Sequence, residues 1–202
     1  MGDLQDPADP PTIKRRRVLQ ACCGLALTVR SAAQADDADA AAAPPRENDL
    51  LVHAFGPRAG EVVAPGDIEA NAEQILVYPM DPATGTVRDG TRLNQLILVR
   101  LDPDTLAPET RQRSAEGIVA YSGVCTHTGC DVTDWYDDVL RFKCPCHESE
   151  FDPSDGARVI GGPAPSPLAA LPLKIADGVI AVAGAFVGTV GFTQPGFDTF
   201  GP

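Results

Sequence analysis

Basic residues are in short supply in this chain: 16 Lys and Arg stand against 28 Asp and Glu in 202 residues, a formal charge of −12. Such a balance excludes an electrostatic footprint for nucleic acid. Histidine is scarcer still, at three, and cysteine stops at six. The sequence contains no internal repeat. It offers no phosphate-binding glycine loop, no Ser/His/Asp set and no paired acids above background, so independent catalysis has nothing to rest on. Near the start, the apolar run Ala21–Val29 holds nine residues bounded by arginines. A bilayer core needs about 20, so this run is too short to span one.

What surrounds that short run gives it a different meaning. Residues 1–13 are polar and Pro-rich, then "KRRRVLQ" (Lys14–Gln20) leads into "ACCGLALTV" and on to "SAAQA". A positive segment, a short apolar segment and a small-x-small site at Ala33-Gln34-Ala35 describe an export signal over residues 1–35, cut after Ala35. Arg15-Arg16-Arg17-Val18-Leu19 matches the twin-arginine layout, a route that carries chains already folded. The expected location is therefore the periplasm, with a peripheral membrane association if the segment is kept. The cut leaves 11 Lys and Arg against 25 Asp and Glu, a formal charge of −14. An acidic surface of this kind can steer docking to a basic partner.

Residues 36–49, "DDADAAAAPPREND", have low complexity and little to bury, and are expected to form a flexible linker. A single domain is expected over residues 50–202. "LLVHAF" (Leu50–Phe55), "QILVYPM" (Gln74–Met80), "NQLILVRL" (Asn94–Leu101) and "GIVAYS" (Gly117–Ser122) are β-rich runs set off by Gly, Pro and Asp. "LPLKIADGVIAVAG" (Leu171–Gly184) reads as a hairpin about Asp177-Gly178. Between the third and fourth runs, Asp104 is placed to cap one short helix ended by Gly117. Closely spaced short strands predict an all-β, antiparallel sandwich or barrel.

The scarce residues are not scattered. "CTHTGC" (Cys125–Cys130) and "CPCHES" (Cys144–Ser149) hold four of the six cysteines and two of the three histidines. Cys125, His127, Cys144 and His147 give C-x-H-x16-C-x-x-H, one thiol and one imidazole per ligand pair. Zinc, which favours four such ligands in a tetrahedron, is one reading. It leaves Cys130 and Cys146 spare, one per loop, and an oxidising compartment lets them join if the loops face each other. Cys22 and Cys23 fall in the export segment. His53 lies outside both boxes in an apparent strand and reads as a structural or surface histidine rather than a ligand. Trp135 and Tyr136, in "DVTDWYDDVL", fit either a partner contact or a framework role.

These boxes, followed by "GGPAP" (Gly161–Pro165), resemble those of the Rieske iron-sulfur proteins, with their C-T-H-x-G-C and C-P-C-H-x-S boxes and proline loop. The resemblance covers about the C-terminal two-fifths of the chain, with the cluster-binding part at about 121–166. It implies a 2Fe-2S cluster with Cys125 and Cys144 on one iron, His127 and His147 on the other, and a Cys130–Cys146 disulfide. Pro163 would lie in the loop over the cluster. In respiratory members a Ser of the second box bonds a bridging sulfide and a Tyr two residues later bonds a cysteine sulfur. Here Ser149 is present, but Phe151 stands at the Tyr position. The loss of one donor predicts a potential below that of members with both and above that of oxygenase-type ferredoxins lacking the pair. Glu148 replaces the usual small residue and is expected in solvent.

Two ferric ions, two sulfides and two thiolates sum to about zero charge, whereas four thiolates would leave about −2; the near-neutral core accepts an electron more easily. Each imidazole can also exchange a proton at its outer nitrogen, and reduction should raise its proton affinity. The midpoint potential is accordingly expected to fall from neutral to alkaline pH, and a potentiometric titration that stays flat over that range would count against the coupling. The combined reading is an exported electron-transfer subunit of a periplasmic oxidoreductase, serving a larger redox subunit or a cytochrome. The alternative is the iron-sulfur subunit of a quinol-oxidising cytochrome bc complex. An oxygenase ferredoxin and a zinc module are the remaining classes.

Overall fold

The computed structural model describes residues 36–192; the export segment lies outside the described residues. Eleven strands form two antiparallel sheets. The larger sheet contains β1 (Leu50–His53), β2 (Ile75–Met80), β3 (Leu96–Arg100), β4 (Ile118–Ser122), β9 (Ala170–Leu171), β10 (Leu173–Ala176) and β11 (Val179–Val182). Its order is β10-β11-β1-β2-β3-β4-β9. β9 and β10 therefore occupy opposite edges although only Pro172 separates them in sequence. A single residue cannot reach across seven strands, so the sheet must curl until its edges meet, and the barrel predicted from strand spacing results.

The smaller sheet, β5 (Asp134–Tyr136), β6 (Arg141–Cys144), β7 (Ser149–Asp152) and β8 (Arg158–Gly161), is inserted between β4 and β9. Alternation along β3 and β4 explains how it is held. Leu96, Leu98, Ile118 and Ala120 point into the barrel with Leu51, Val77 and Ile180. Ile97, Val99, Val119 and Tyr121 point the other way, into a second core with Phe142, Phe151 and Leu168. Because successive side chains alternate across a strand, a strand buried on both faces reads as one continuous apolar run, and "LILV" is that run.

The β10–β11 hairpin turns at Asp177 (φ 50°) and Gly178 (φ 80°), the two positive angles that a type I′ turn requires. The helix prediction needs correction. Asp102, not Asp104, is the capping acid, and it caps a 3-10 turn at Pro103–Thr105; the helix itself is Pro108–Arg113, opened by Pro108 and ended at Ser114. Proline at the first helical position already has the right φ and lacks only an N–H that would go unpaired there.

The expected linker is also corrected over residues 39–49. The carbonyl of Ala41 accepts from Gly90 N and that of Ala43 from the Asn94 side chain, while Asn48 N donates to the carbonyl of Val182. Asp49 is buried against Arg88. Its low complexity misleads because these ties use the backbone, which composition does not register. No helix among the described residues is long and apolar enough to cross a membrane.

Candidate metal centre

The two boxes become two loops at neighbouring corners of the smaller sheet. The first leaves β4 and turns at Thr126–Thr128; Gly129 N donates back to the carbonyl of Cys125 (3.0 Å), and Cys125 N to that of Cys130 (2.8 Å). The second is the β6–β7 turn, Pro145–Glu148, in which Glu148 N donates to the carbonyl of Cys144 (3.0 Å). Both loops close on a left-handed residue four positions after the cysteine, Gly129 (φ 78°) and Glu148 (φ 60°). Glycine adopts that conformation freely, whereas a glutamate gives up about 1 kcal/mol. Glu148 stands in solvent as expected, its side chain 75% exposed; from there its carboxylate pairs with Lys143 at 2.9 Å, and the Lys143 ammonium lies 5.1 Å from the centre of the Tyr136 ring.

A Cys130–Cys146 disulfide joins the loops, with their Cα atoms 6.5 Å apart. The Pro loop then packs onto both. Thr126 Oγ1 donates to the carbonyl of Ser166 (2.6 Å) and Ala164 N donates to Ser149 Oγ (3.1 Å). Gly162 makes that approach possible: a Cβ there would sit 2.5 Å from Ser149 Cα and 2.6 Å from the Glu148 carbonyl oxygen. Pro163 is exposed at the loop's crest.

Cys125 and Cys144 are free thiols, each 1% exposed. Burial pushes the Cys125 thiol up from its ordinary value; the Cys144 thiol beside it acts in the same direction, and the Ser149 hydroxyl opposes both. A pair of buried thiols becomes a pair of thiolates only with a cation between them. Two imidazoles complete the set: the Nδ1 atoms of His127 and His147 converge to 3.2 Å, and the rings stand perpendicular. His127 is half-buried and His147 exposed. Proximity alone would group Cys144 with Cys130 and Cys146, whose sulfurs all lie within 4.8 Å of one another. The disulfide removes two of those three as thiolate donors, so the available soft and nitrogen donors are Cys125, Cys144, His127 and His147.

Ser149 is fully buried. Its oxygen accepts from Ala164 N (3.1 Å), which leaves the hydroxyl proton free for a second partner. Phe151, equally buried, pairs across the sheet with Phe142 and has no proton to give. His53 lies apart on β1, with a buried Nε2 that has no partner. Trp135 packs on Phe142, ring centres 5.5 Å apart, which is the framework role. Sequence reasoning missed Thr126, Gly162 and Lys143. Of these only Thr126 and Gly162 carried a signal, since they lie inside the quoted boxes.

Two dry thiols, two converging imidazoles and a disulfide between the loops make a donor set suited to a metal centre of mixed thiolate and imidazole ligation. Residues 82–172 match the family described as Rieske [2Fe-2S] domain. Over those residues this chain carries a Rieske [2Fe-2S] domain. The cytochrome bc1 complex Rieske iron-sulfur subunit of Streptomyces lividans is 43% identical over 98 residues, 48% of this chain and 58% of that one. A Haloferax mediterranei protein named "Putative respiratory nitrate reductase subunit Rieske" is 37% identical over 131 residues, 64% of this chain and 54% of that one. The chain thus spans just over half the length of these two relatives. Among solved structures, a hyperthermophilic respiratory complex III chain has 26% identity and a TM-score of 0.42, covering 80% of this chain and 93% of that one.

Proposed function

We propose that Cys125 and Cys144 hold one iron of the 2Fe-2S cluster and His127 and His147 the other, and that the chain is the iron-sulfur subunit of an exported respiratory oxidoreductase. The observation that carries the ligand assignment is the convergence of the two Nδ1 atoms to 3.2 Å, from the same two loops that each hold a buried free thiol. When bound, such a cluster takes up and returns one electron. The chain's own residues set the terms. The buried cysteines keep the sulfur side dry. Coordination through Nδ1 leaves each Nε2 to exchange a proton at the surface. Ser149 gives a hydrogen bond that is stronger when its sulfur acceptor carries more negative charge.

Ser149→Ala should therefore lower the midpoint. A hydrogen bond to a charged group contributes about 1.5–3 kcal/mol, of which only the difference between redox states counts, so the expected fall is on the order of tens of millivolts. Redox titration of the two proteins checks this, and equal midpoints would remove Ser149 from the role.

The periplasm is the proposed location, on the twin-arginine pattern at Arg15–Leu19. Two assignments compete for the complex served. The similarity to the Haloferax protein supports a subunit of a terminal oxidoreductase, with a larger cofactor-bearing subunit or a cytochrome as partner. The higher identity to the Streptomyces subunit favours a quinol-oxidising cytochrome bc complex. Purification of the tagged chain from the periplasm and membranes of its own host separates them. Recovery with a large soluble subunit supports the first; recovery in membranes with cytochromes b and c supports the second.

A further inference from the structure

The first ligand loop is gripped from outside by a segment that supplies no donor. Arg92 stands at the head of the 3-10 turn Arg92–Asn94. Its Nη2 donates both to the carbonyl of Gly129 and to Asp131 Oδ1, the latter at 2.6 Å. Gly129 is the residue whose N–H closes the loop onto Cys125, and it sits between His127 and the disulfide cysteine Cys130. One guanidinium thus fixes the peptide by which the His127 turn ends.

The turn that carries this half-exposed guanidinium is itself braced. The Asn94 side chain donates to the carbonyls of Ala43 (2.8 Å) and Arg88 (3.0 Å), and Gly90 N to that of Ala41 (3.0 Å). A Cβ on Gly90 would lie 2.8 Å from the Ala41 backbone, so the two segments meet as closely as main chains can. Immediately after the turn, the carbonyl of Gln95 accepts from Gly123 N (2.8 Å), at the root of the same ligand loop. The Phe192 ring also abuts Gly129, where a Cβ would stand 2.8 Å from it. An exposed ion pair alone contributes about 0–1 kcal/mol and needs no such bracket.

We propose that Arg92 is a positioning residue of the electron-transfer centre: by holding the Gly129 carbonyl from a bracket bolted to residues 40–49, it sets the orientation of the His127 turn and hence the electronic environment of the cluster. The proposal rests on the ligand assignment above. The bland reading is a surface charge pair with Asp131, and a charge-balanced variant distinguishes the two.

Arg92→Gln, Asp131→Asn and the double variant are made in the full chain with its cluster loaded, and each is compared with the parent by EPR of the reduced protein and by redox titration. Arg92→Gln is expected to show altered g-anisotropy and a lower midpoint. The double variant, which keeps the parent's formal charge, is expected to stay displaced in both. A parent-like spectrum and midpoint in Arg92→Gln, or a return of both to parent values in the double variant, overturns the proposal. If Arg92→Gln does not retain its cluster, Arg92→Lys takes its place: it keeps the cation but not the guanidinium, so altered g-values support positioning and an unchanged spectrum and midpoint refute it. Failure of the ligand assignment itself shows separately, as the absence of a Rieske spectrum in the parent.

Discussion

Cys125→Ser should purify colourless, with iron falling from about two atoms per chain to a small fraction of that, and without a rhombic EPR signal after reduction. Cys125 is 1% exposed with its thiol beside that of Cys144, so no water or exposed side chain can stand in for it. A serine hydroxyl is a far weaker acid than a thiol and does not supply the anion a ferric ion needs. The substitution also discriminates between donor sets. It leaves Cys130, Cys144 and Cys146 intact, the three sulfurs that proximity alone groups together, so a protein that kept its iron would favour that trio and sink the proposed one. Cys130→Ser is the companion measurement. It opens the bridge to Cys146 across a sequence separation of 16, at a cost of about 3 kcal/mol, and should give a coloured but less heat-stable protein.

The reach of the sequence was uneven, for physical reasons. β3 and β4 were legible because burial on both faces leaves an unbroken apolar run, and the Asp177-Gly178 turn because few residues accept positive φ. The boxes were legible because soft ligands are rare and were clustered. The location of the helix was less so: both Asp102 and Asp104 have capping chemistry, and only the position of Pro108 decides where the helix starts. The 39–49 segment misled for a different reason. Its alanines and prolines bury little, and what holds it is main-chain hydrogen bonding plus a buried ion pair formed across 39 positions and an exposed one, Glu47 with Lys174, across 127, none of which leaves a local pattern. Arg92 belongs with it. A surface arginine in "DGTRLN" has no local signal that its partner is a carbonyl 37 residues away.

That buried ion pair carries the second large effect. Asp49 and Arg88 are both 2% exposed, and Arg88 meets the carboxylate with two nitrogens, Nε to Oδ2 at 2.6 Å and Nη2 to Oδ1 at 3.0 Å. The Asp49 Oδ2 atom also accepts from Arg46 N at 2.8 Å. Asp49→Ala strands a guanidinium in a dry site, with Asp81 at 3.7 Å as its nearest remaining acid. Breaking a buried pair from one side costs about 3–5 kcal/mol, which in a domain of this size corresponds to a fall in Tm of about 10 °C or more. Replacing both partners by apolar groups removes the stranded charge, so Asp49→Ala with Arg88→Met should recover much of the loss. Calorimetry on the three proteins checks the order, and a double variant no more stable than Asp49→Ala would mean that the pair contributes through geometry rather than charge. The geometry can be read separately. The Asp49 carbonyl accepts from Val182 N and Asn48 N donates back to the Val182 carbonyl, so amide exchange at Asn48, Gly90 and Val182 should quicken in Asp49→Ala. Because Gly90 and Asn94 carry the turn that presents Arg92, the same loosening should reach the first ligand loop, and faster exchange at Gly129 N is its expected sign.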